Sequence, residues 1–227
     1  KNGVAKNMHI PPFPDDTGLS FGAACYGVFK AKEKVTLPHN ISLLGRTYSD
    51  EEIEEALEGM EYKKFDTFEE LCDKTVNVLA ENKIVGWFQN RSEFGPRALG
   101  NRSIFCNPAF PEMKDILNFK VKNREWYRPF APVCKLEDVS KYFEWEGESR
   151  HMLYCPTVKK EWKEKLSSIT HIDGTARVQT VTREQNEFLY DLITAFEETA
   201  GHGVLLNTSF NIAGKPILNT IADAMKV

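Results

Sequence analysis

Residues 186–211 read NEFLYDLITAFEETAGHGVLLNTSFN, and the fold class turns on this stretch. Phe188, Leu189, Leu192, Ile193 and Phe196 recur at the spacing of one helix face, which predicts a helix over Asn186–Thr199 with a single buried stripe. Gly201 stands where a helix C-cap calls for a left-handed residue. Gly203–Leu206 follows as a short, wholly apolar strand, and the polar run Asn207–Asn211 closes the unit as a turn. Helix, tight link and buried strand make an α/β unit.

The same order occurs upstream. Thr67 caps a second helix with Glu70 three residues later, and Phe68, Leu71, Cys72, Thr75 and Leu79 are expected on its buried face. Asn82-Lys83 end it, and Ile84–Phe88 runs on as a strand. Ser49-Asp-Glu-Glu52 is a capping box that opens an acidic helix to about Met60. Shorter helices are expected over Met113–Phe119, with Pro111 in its first turn, and over Val139–Phe143. Arg177–Thr182 alternates as a strand, while Lys30–Pro38 is charged and loop-like. The chain shows no internal repeat and no low-complexity tract.

The 227 residues are 41% hydrophobic and 27% charged, so the chain buries a core and is neither disordered nor a disulfide-stapled miniprotein. No apolar run approaches the roughly 20 residues of a membrane span. The formal net charge of −4 argues against a general nucleic-acid binder. Cys25, Cys72, Cys106, Cys134 and Cys155 are odd in number and lack CxxC spacing, which excludes a disulfide framework or zinc ribbon and implies a reducing, cytoplasmic setting. His9, His39, His151, His171 and His202 are scattered, so no histidine-built metal site is expected. The opening at Lys1 and the helix-like tail Ile221–Val227 lead to the expectation that both ends are cut from a longer protein. Leu19–Gly27, with small Gly22, Ala23 and Ala24, is expected to be a helix packed against a partner not evident nearby, or an arm lying on the main domain.

Charge is not spread evenly. Residues 89–128 carry eight Lys or Arg against four Asp or Glu, a local excess of +4 in a chain whose total is −4. Glu93–Ser103 presents Arg97 between the turns Gly95-Pro96 and Gly100-Asn101, with Arg102-Ser103 adding a second fork and a hydroxyl. Lys122 and Arg124 fall on one side of an extended segment, Arg128 precedes Pro129, and Trp126, Tyr127 and Phe130 are expected in the core. Asp173-Gly174 is a turn from which Arg177 and Gln179 leave on one face, and His171 is expected to be a structural hydrogen-bonding residue. Asn207, Ser209 and Asn211 offer donors to phosphate or ribose oxygens. Each turn alone is an ordinary structural turn. Together they supply what a phosphate site needs, guanidinium forks beside exposed backbone N–H groups.

Gln89–Ser103, Lys122–Pro132, His171–Gln179 and Asn207–Asn211 resemble the C-terminal region of the O-carbamoyltransferases, which include nodulation-factor and antibiotic-tailoring enzymes. EFGPRALGNRS and HIDGTARVQT carry most of the likeness, and the motifs spread over about residues 85–220. Lys122-x-Arg124 and Ser209-x-Asn211 are also similar to the KxR and SxN signatures of YrdC-like proteins. The implied fold is α/β, a YrdC-like twisted open mixed sheet flanked by helices. Pro14–Gly18 and Gly22–Ala24 look like the last motif of the family's N-terminal actin/Hsp70-like domain. The resemblance therefore implies a tail of that transferase domain over residues 1–30 and a connecting segment with an acidic helix over 31–65. Residues 66–227 would be the carbamoyl-adenylate-forming domain, truncated at its C-terminus.

The implied activity is formation of carbamoyl adenylate from carbamoyl phosphate and ATP, with release of phosphate and pyrophosphate. The absent domain would then pass the carbamoyl group to a hydroxyl-bearing small molecule. Lys122, Arg128 and Arg177 are the expected catalytic cations, and Arg97, Arg102 and Arg124 support the cage. Asn207, Ser209 and Asn211 would orient the nucleotide or the carbamoyl group. No protein metal ligand is expected; Mg²⁺ would accompany ATP, held by phosphate oxygens and water. Asn90 stands where the family usually has Gly, and asparagine tolerates the left-handed backbone such a turn needs. Two other readings fit less of the sequence: a tRNA-modifying enzyme making threonylcarbamoyl adenylate, and a non-catalytic nucleotide-binding or interdomain docking module.

Overall fold

The computed structural model describes residues 10–34, 36–37 and 40–227. The first nine residues of the expected N-terminal segment, Pro38 at the end of the charged loop, His9 and His39 lie outside the described residues. Five short strands form one mixed sheet: β1 (Val85–Phe88), β2 (Arg102–Cys106), β3 (Ala131–Lys135), β4 (Gln179–Val181) and β5 (Val204–Ser209). Their spatial order is β1-β2-β5-β3-β4. β5 pairs antiparallel with both β2 and β3, β1 pairs antiparallel with β2, and β4 runs parallel to β3. The expected α/β class with an open mixed sheet holds.

The central place of β5 explains its unbroken apolar run, since neither face meets water. Val204 and Leu206 join Ile104, Cys106 and Cys134 in one core, capped by Met113, Leu117, Tyr142 and Phe143. Leu205 points the other way and meets Phe105 and Val133 in a second core. That second core is closed by helices α3 (Phe68–Ala80) and α7 (Glu187–Ala200), which place Cys72, Val76 and Leu79, and Leu189, Leu192, Ile193 and Phe196, against the sheet. Burying each large aliphatic or aromatic side chain is worth about 1.5–3 kcal/mol, so this stripe is what fixes α7.

Local signals set the helix ends. The Asn186 side chain accepts from the Leu189 N–H at 3.1 Å, and α7 stops at Gly201, whose φ is +74°. Ser49 and Glu52 form the full reciprocal box at the start of α2 (Asp50–Ala56), which ends earlier than the expected Met60. Thr67 accepts from Glu70 N–H, but the Glu70 carboxylate turns back to Asp66 N–H, so α3 has half a box. Leu71, expected on the buried face of α3, is exposed, and Val76 holds that place.

The expected helix over Met113–Phe119 is an α-helical turn, α4 (Met113–Ile116), running into a π-helical turn over Leu117–Val121. α5 is Val139–Tyr142 and α6 is Lys160–Lys163. α1 (Leu19–Lys30) buries no residue, whereas Phe13 just before it is 4% exposed and packs edge-on against Phe21 and Phe94. At the far end α8 (Ile221–Ala224) opens with a Thr220–Asp223 capping box and buries Ile221. Among the described residues no helix is long and apolar enough to cross a membrane.

Candidate active site

Beyond the carboxyl end of β5 lies a cavity of about 600 Å³ lined by Arg97, Lys122, Arg124, Arg128 and Arg177. Among the described residues Glu125 is the one acidic residue in this wall, and Asn207, Ser209 and Asn211 add to its polar surface. Loops separated by up to about 80 residues of chain thus deliver their cations to one place.

The first wall is a rigid loop. Glu93 Oε1 accepts from the backbone N–H groups of Leu99 at 2.6 Å, Asn101 at 2.8 Å and Arg102 at 3.3 Å. Gly100, at φ +114°, passes so close to α7 that a Cβ there would sit 2.5 Å from Leu189 Cδ2. Arg97 stands exposed on this pinned loop. Its neighbour Arg102 does not join it. Arg102 is 0% exposed, and its guanidinium donates to the carbonyls of Gln89 at 2.6 Å, Asn101 at 2.9 Å and Asn90 at 3.1 Å. It also lies 3.5 Å over the Phe88 ring. The expectation of Arg102 as a substrate ligand is corrected: its fork is spent tying the 89–91 turn to β2. Asn90, at φ +44°, supplies one of those carbonyls from the left-handed conformation foreseen for it.

The second wall departs from the extended segment expected at 122–124. Lys122 caps the π-helical turn and Asn123 is left-handed at φ +41°. The side chains of Lys122 and Arg124 still converge, through a helix end rather than a strand. Lys122 is 7% exposed, and its ammonium donates to Ser209 O at 2.5 Å, Asn211 Oδ1 at 2.7 Å and Asn211 O at 3.0 Å. All three of its protons are therefore committed, and the KxR and SxN segments are one network. Ser209 Oγ donates to the same Asn211 Oδ1 at 2.7 Å, and Asn211 Nδ2 donates to Lys215 O at 2.6 Å.

Arg124 is held by Asn118, which the sequence did not single out: its Nε donates to Asn118 Oδ1 at 2.6 Å. Asn118 is fully buried, and its Nδ2 reaches the carbonyls of Trp126 and Arg128, so one amide shapes the whole loop. Trp126 and Tyr127, expected in the core, are 59% and 54% exposed, whereas Phe130 is buried.

The third wall is Arg177, which follows the Asp173-Gly174 turn. Its Nε is buried and has no hydrogen-bond partner among the described residues. His171 takes the structural place foreseen, with Nδ1 3.0 Å from Thr175 Oγ1. Asn207 is 1% exposed and donates through Nδ2 to Gln179 Oε1 at 2.7 Å and Ala98 O at 3.3 Å.

The cations feel one another. Burial, then Arg124, pushes Lys122 down to about 8. Burial, then chiefly Arg128, pushes Arg124 down to about 10. Arg177 is lowered by burial first and by Arg97 second. The part of this lowering that comes from neighbouring cations puts the charges in one field, and a bound anion relieves it. Because one glutamate is the sole carboxylate of the wall, the donor set does not fit a resident Mg²⁺. The arrangement is suited to gripping phosphate-bearing anions.

Comparison with known proteins agrees with this chemistry. Residues 76–227 match the family model described as Carbamoyltransferase C-terminus. The 3'-hydroxymethylcephem-O-carbamoyltransferase of Streptomyces clavuligerus is 44% identical over 150 residues, 66% of this chain and 28% of that protein. Nodulation protein NolNO of Sinorhizobium fredii is 35% identical over 234 residues, 99% of this chain and 34% of that protein. HypF from T. kodakarensis, a solved structure, superposes with a TM-score of 0.48 at 18% identity, covering 73% of this chain and 20% of its own. The chain spans about two fifths or less of the curated relatives it matches along its whole length.

Proposed function

Because this chain belongs to the carbamoyltransferase C-terminus family, we propose that its cationic cavity binds carbamoyl phosphate and ATP and joins them as carbamoyl adenylate. The carbamoyl group would then pass to an acceptor hydroxyl in a part of the protein outside this chain. The observation that carries this reading is the cavity itself, where five cations from three loops converge, where burial and then neighbouring cations push Lys122, Arg124 and Arg177 down, and where Arg177 keeps a buried N–H without a partner among the described residues. Carbamoyl phosphate carries roughly −2 and ATP more, so the two repel unless fixed positive charge lies between them.

The atom balance needs one water. Water cleaves carbamoyl phosphate to carbamate and phosphate; a carbamate oxygen then attacks the α-phosphorus of ATP, and pyrophosphate leaves. No covalent enzyme intermediate is involved, and positioning with electrostatic stabilisation supplies the rate. Arg128 and Arg177 grip phosphoryl oxygens as charge moves, and Arg97 and Arg124 complete the cage. Lys122 adds its charge from behind the wall while holding Ser209 and Asn211 in place. Mg²⁺ arrives with ATP, on phosphate oxygens and water.

Pyrophosphate release by the full-length protein, with carbamoyl phosphate, ATP and a panel of hydroxyl acceptors, tests this. Release that depends on carbamoyl phosphate supports it. Release that requires bicarbonate and threonine instead, or ATP left unchanged despite binding, would replace it with the adenylate chemistry of tRNA modification or with a docking role.

A further inference from the structure

Among the described residues the Arg97 guanidinium has one hydrogen bond, from Nη1 to Pro96 O at 3.4 Å. Its place in the cavity wall is therefore set by the backbone that carries it. Glu93 Oε1 pins the returning limb of that loop, at Leu99, Asn101 and Arg102. The crest, Phe94–Arg97, lies outside this pin and is clasped by segments far upstream. Phe94 N–H donates to Ser42 O at 2.7 Å, and the Phe94 ring meets Phe13 edge-on, 5.0 Å between centroids.

Phe13 is built into its place. It is the one buried apolar side chain before Cys72 among the described residues, although α1 directly after it buries nothing. Phe21 of α1 holds the other side of the ring at 5.2 Å. Gly18 folds back so closely that a Cβ there would sit 2.4 Å from Phe13 O and 3.0 Å from the ring. Gly95, at φ +124°, packs directly on Phe13, with its Cβ position 3.5 Å from Phe13 Cβ. Two residues on, the Asp15 carboxylate is held below its ordinary range, chiefly by the Thr17 hydroxyl and in small part by Arg97, so this stretch lies within electrostatic reach of the cavity. We infer that Phe13 is a positioning residue for the proposed reaction: it fixes the crest of the 93–102 loop and through it holds Arg97 over the bound anion. Phe13 itself touches no ligand. The inference rests on the reading of the cavity as a phosphate site and adds to it an upstream residue on which that site depends.

Inorganic phosphate is the probe, titrated by calorimetry into the full chain as wild type, Phe13→Ala, Arg97→Ala and the double variant. Arg97→Ala should weaken binding roughly 10- to 150-fold, the worth of one charge-assisted hydrogen bond. Phe13→Ala should weaken it about three- to tenfold where Arg97 is present and change it less than about twofold where Arg97 is gone. A merely structural role lowers affinity alike in both backgrounds, or moves only the melting temperature. Phe13→Leu keeps most of the packing and should show a smaller loss, again only beside Arg97, so the cycle can be read even if the alanine variant does not fold. Equal losses in the two backgrounds, no loss in either folded variant, or an Arg97→Ala protein that binds phosphate like wild type overturns the inference and spares the rest of the cationic site. A wild type that takes up no phosphate overturns the phosphate reading of the cavity and this inference with it.

Discussion

Arg177→Met should make the protein more stable and less able to hold phosphate. The side chain keeps its volume, but the guanidinium that repels Arg97 and holds a buried N–H without a partner is gone. An unsatisfied buried donor costs about 1–3 kcal/mol, more when charged, and its removal returns that amount to the folded state. In a domain of this size each kcal/mol moves the melting temperature by about 2–4 °C, so a rise of several degrees is expected without ligand. With phosphate present the sign reverses. A charge-assisted hydrogen bond is worth about 1.5–3 kcal/mol, and its loss weakens binding roughly 10- to 150-fold. Thermal melts of both proteins across an inorganic phosphate series read the two effects in one experiment, because ligand binding stabilises the folded state by RT ln(1 + [L]/Kd) and so raises the midpoint with phosphate concentration. A variant that melts lower than wild type and keeps the full phosphate-dependent rise would refute the reasoning, since Arg177 would then be a structural residue.

Arg102→Met should do the opposite, costing about 2–5 kcal/mol in a urea titration, because the carbonyls of Gln89, Asn90 and Asn101 lose their buried donor. Gly100→Ala should destabilise by about 1–3 kcal/mol, as its φ of +114° and the 2.5 Å approach to Leu189 both resist a Cβ; a melt like wild type would show that α7 yields at that contact. Lys122 gives opposing pH trends. Its folded pKa of about 8 lies below the ordinary lysine value of 10.5, so between these the unfolded chain binds more protons and its contribution to stability rises with pH. Over the same window the cavity loses a charge, and phosphate affinity should fall as pH passes 8. An affinity that stays flat from pH 7.5 to 9.5 would remove Lys122 from the field that holds the anion.

Helix α7, its cap and the strand after it were legible because a buried stripe, an Asn cap and a Gly stop all act within one stretch of chain. Asn90 was legible for the same reason, its left-handed backbone being a local property. Arg102 was not. An arginine in a crowded glycine-rich loop looks alike whether its fork meets a ligand or backbone carbonyls, and the choice is made by Phe88 and the 89–91 turn folding beneath it. Lys122 and Arg124 converge as foreseen but by a π-helical end and a left-handed Asn123, which a period of two cannot distinguish from a strand. Asn118 sat unmarked in a helical pattern, and its role shows only when the loop to Pro129 closes on it. The Leu99–Gln179–Asn207 hydrogen bonds join three distant segments, so they exist only in the folded protein.

The strand that completes the sheet is the last to be synthesised. β5 begins at Val204, yet it sits between β2 and β3, which precede it by some seventy to a hundred residues. Until it emerges from the ribosome, β2 and β3 each present an unpaired edge with apolar residues at its centre, the kind of surface that invites intermolecular pairing. Folding of this sheet is thereby tied to the emergence of residues 204–209, and truncation before residue 204 should yield an aggregating chain in place of a smaller folded one.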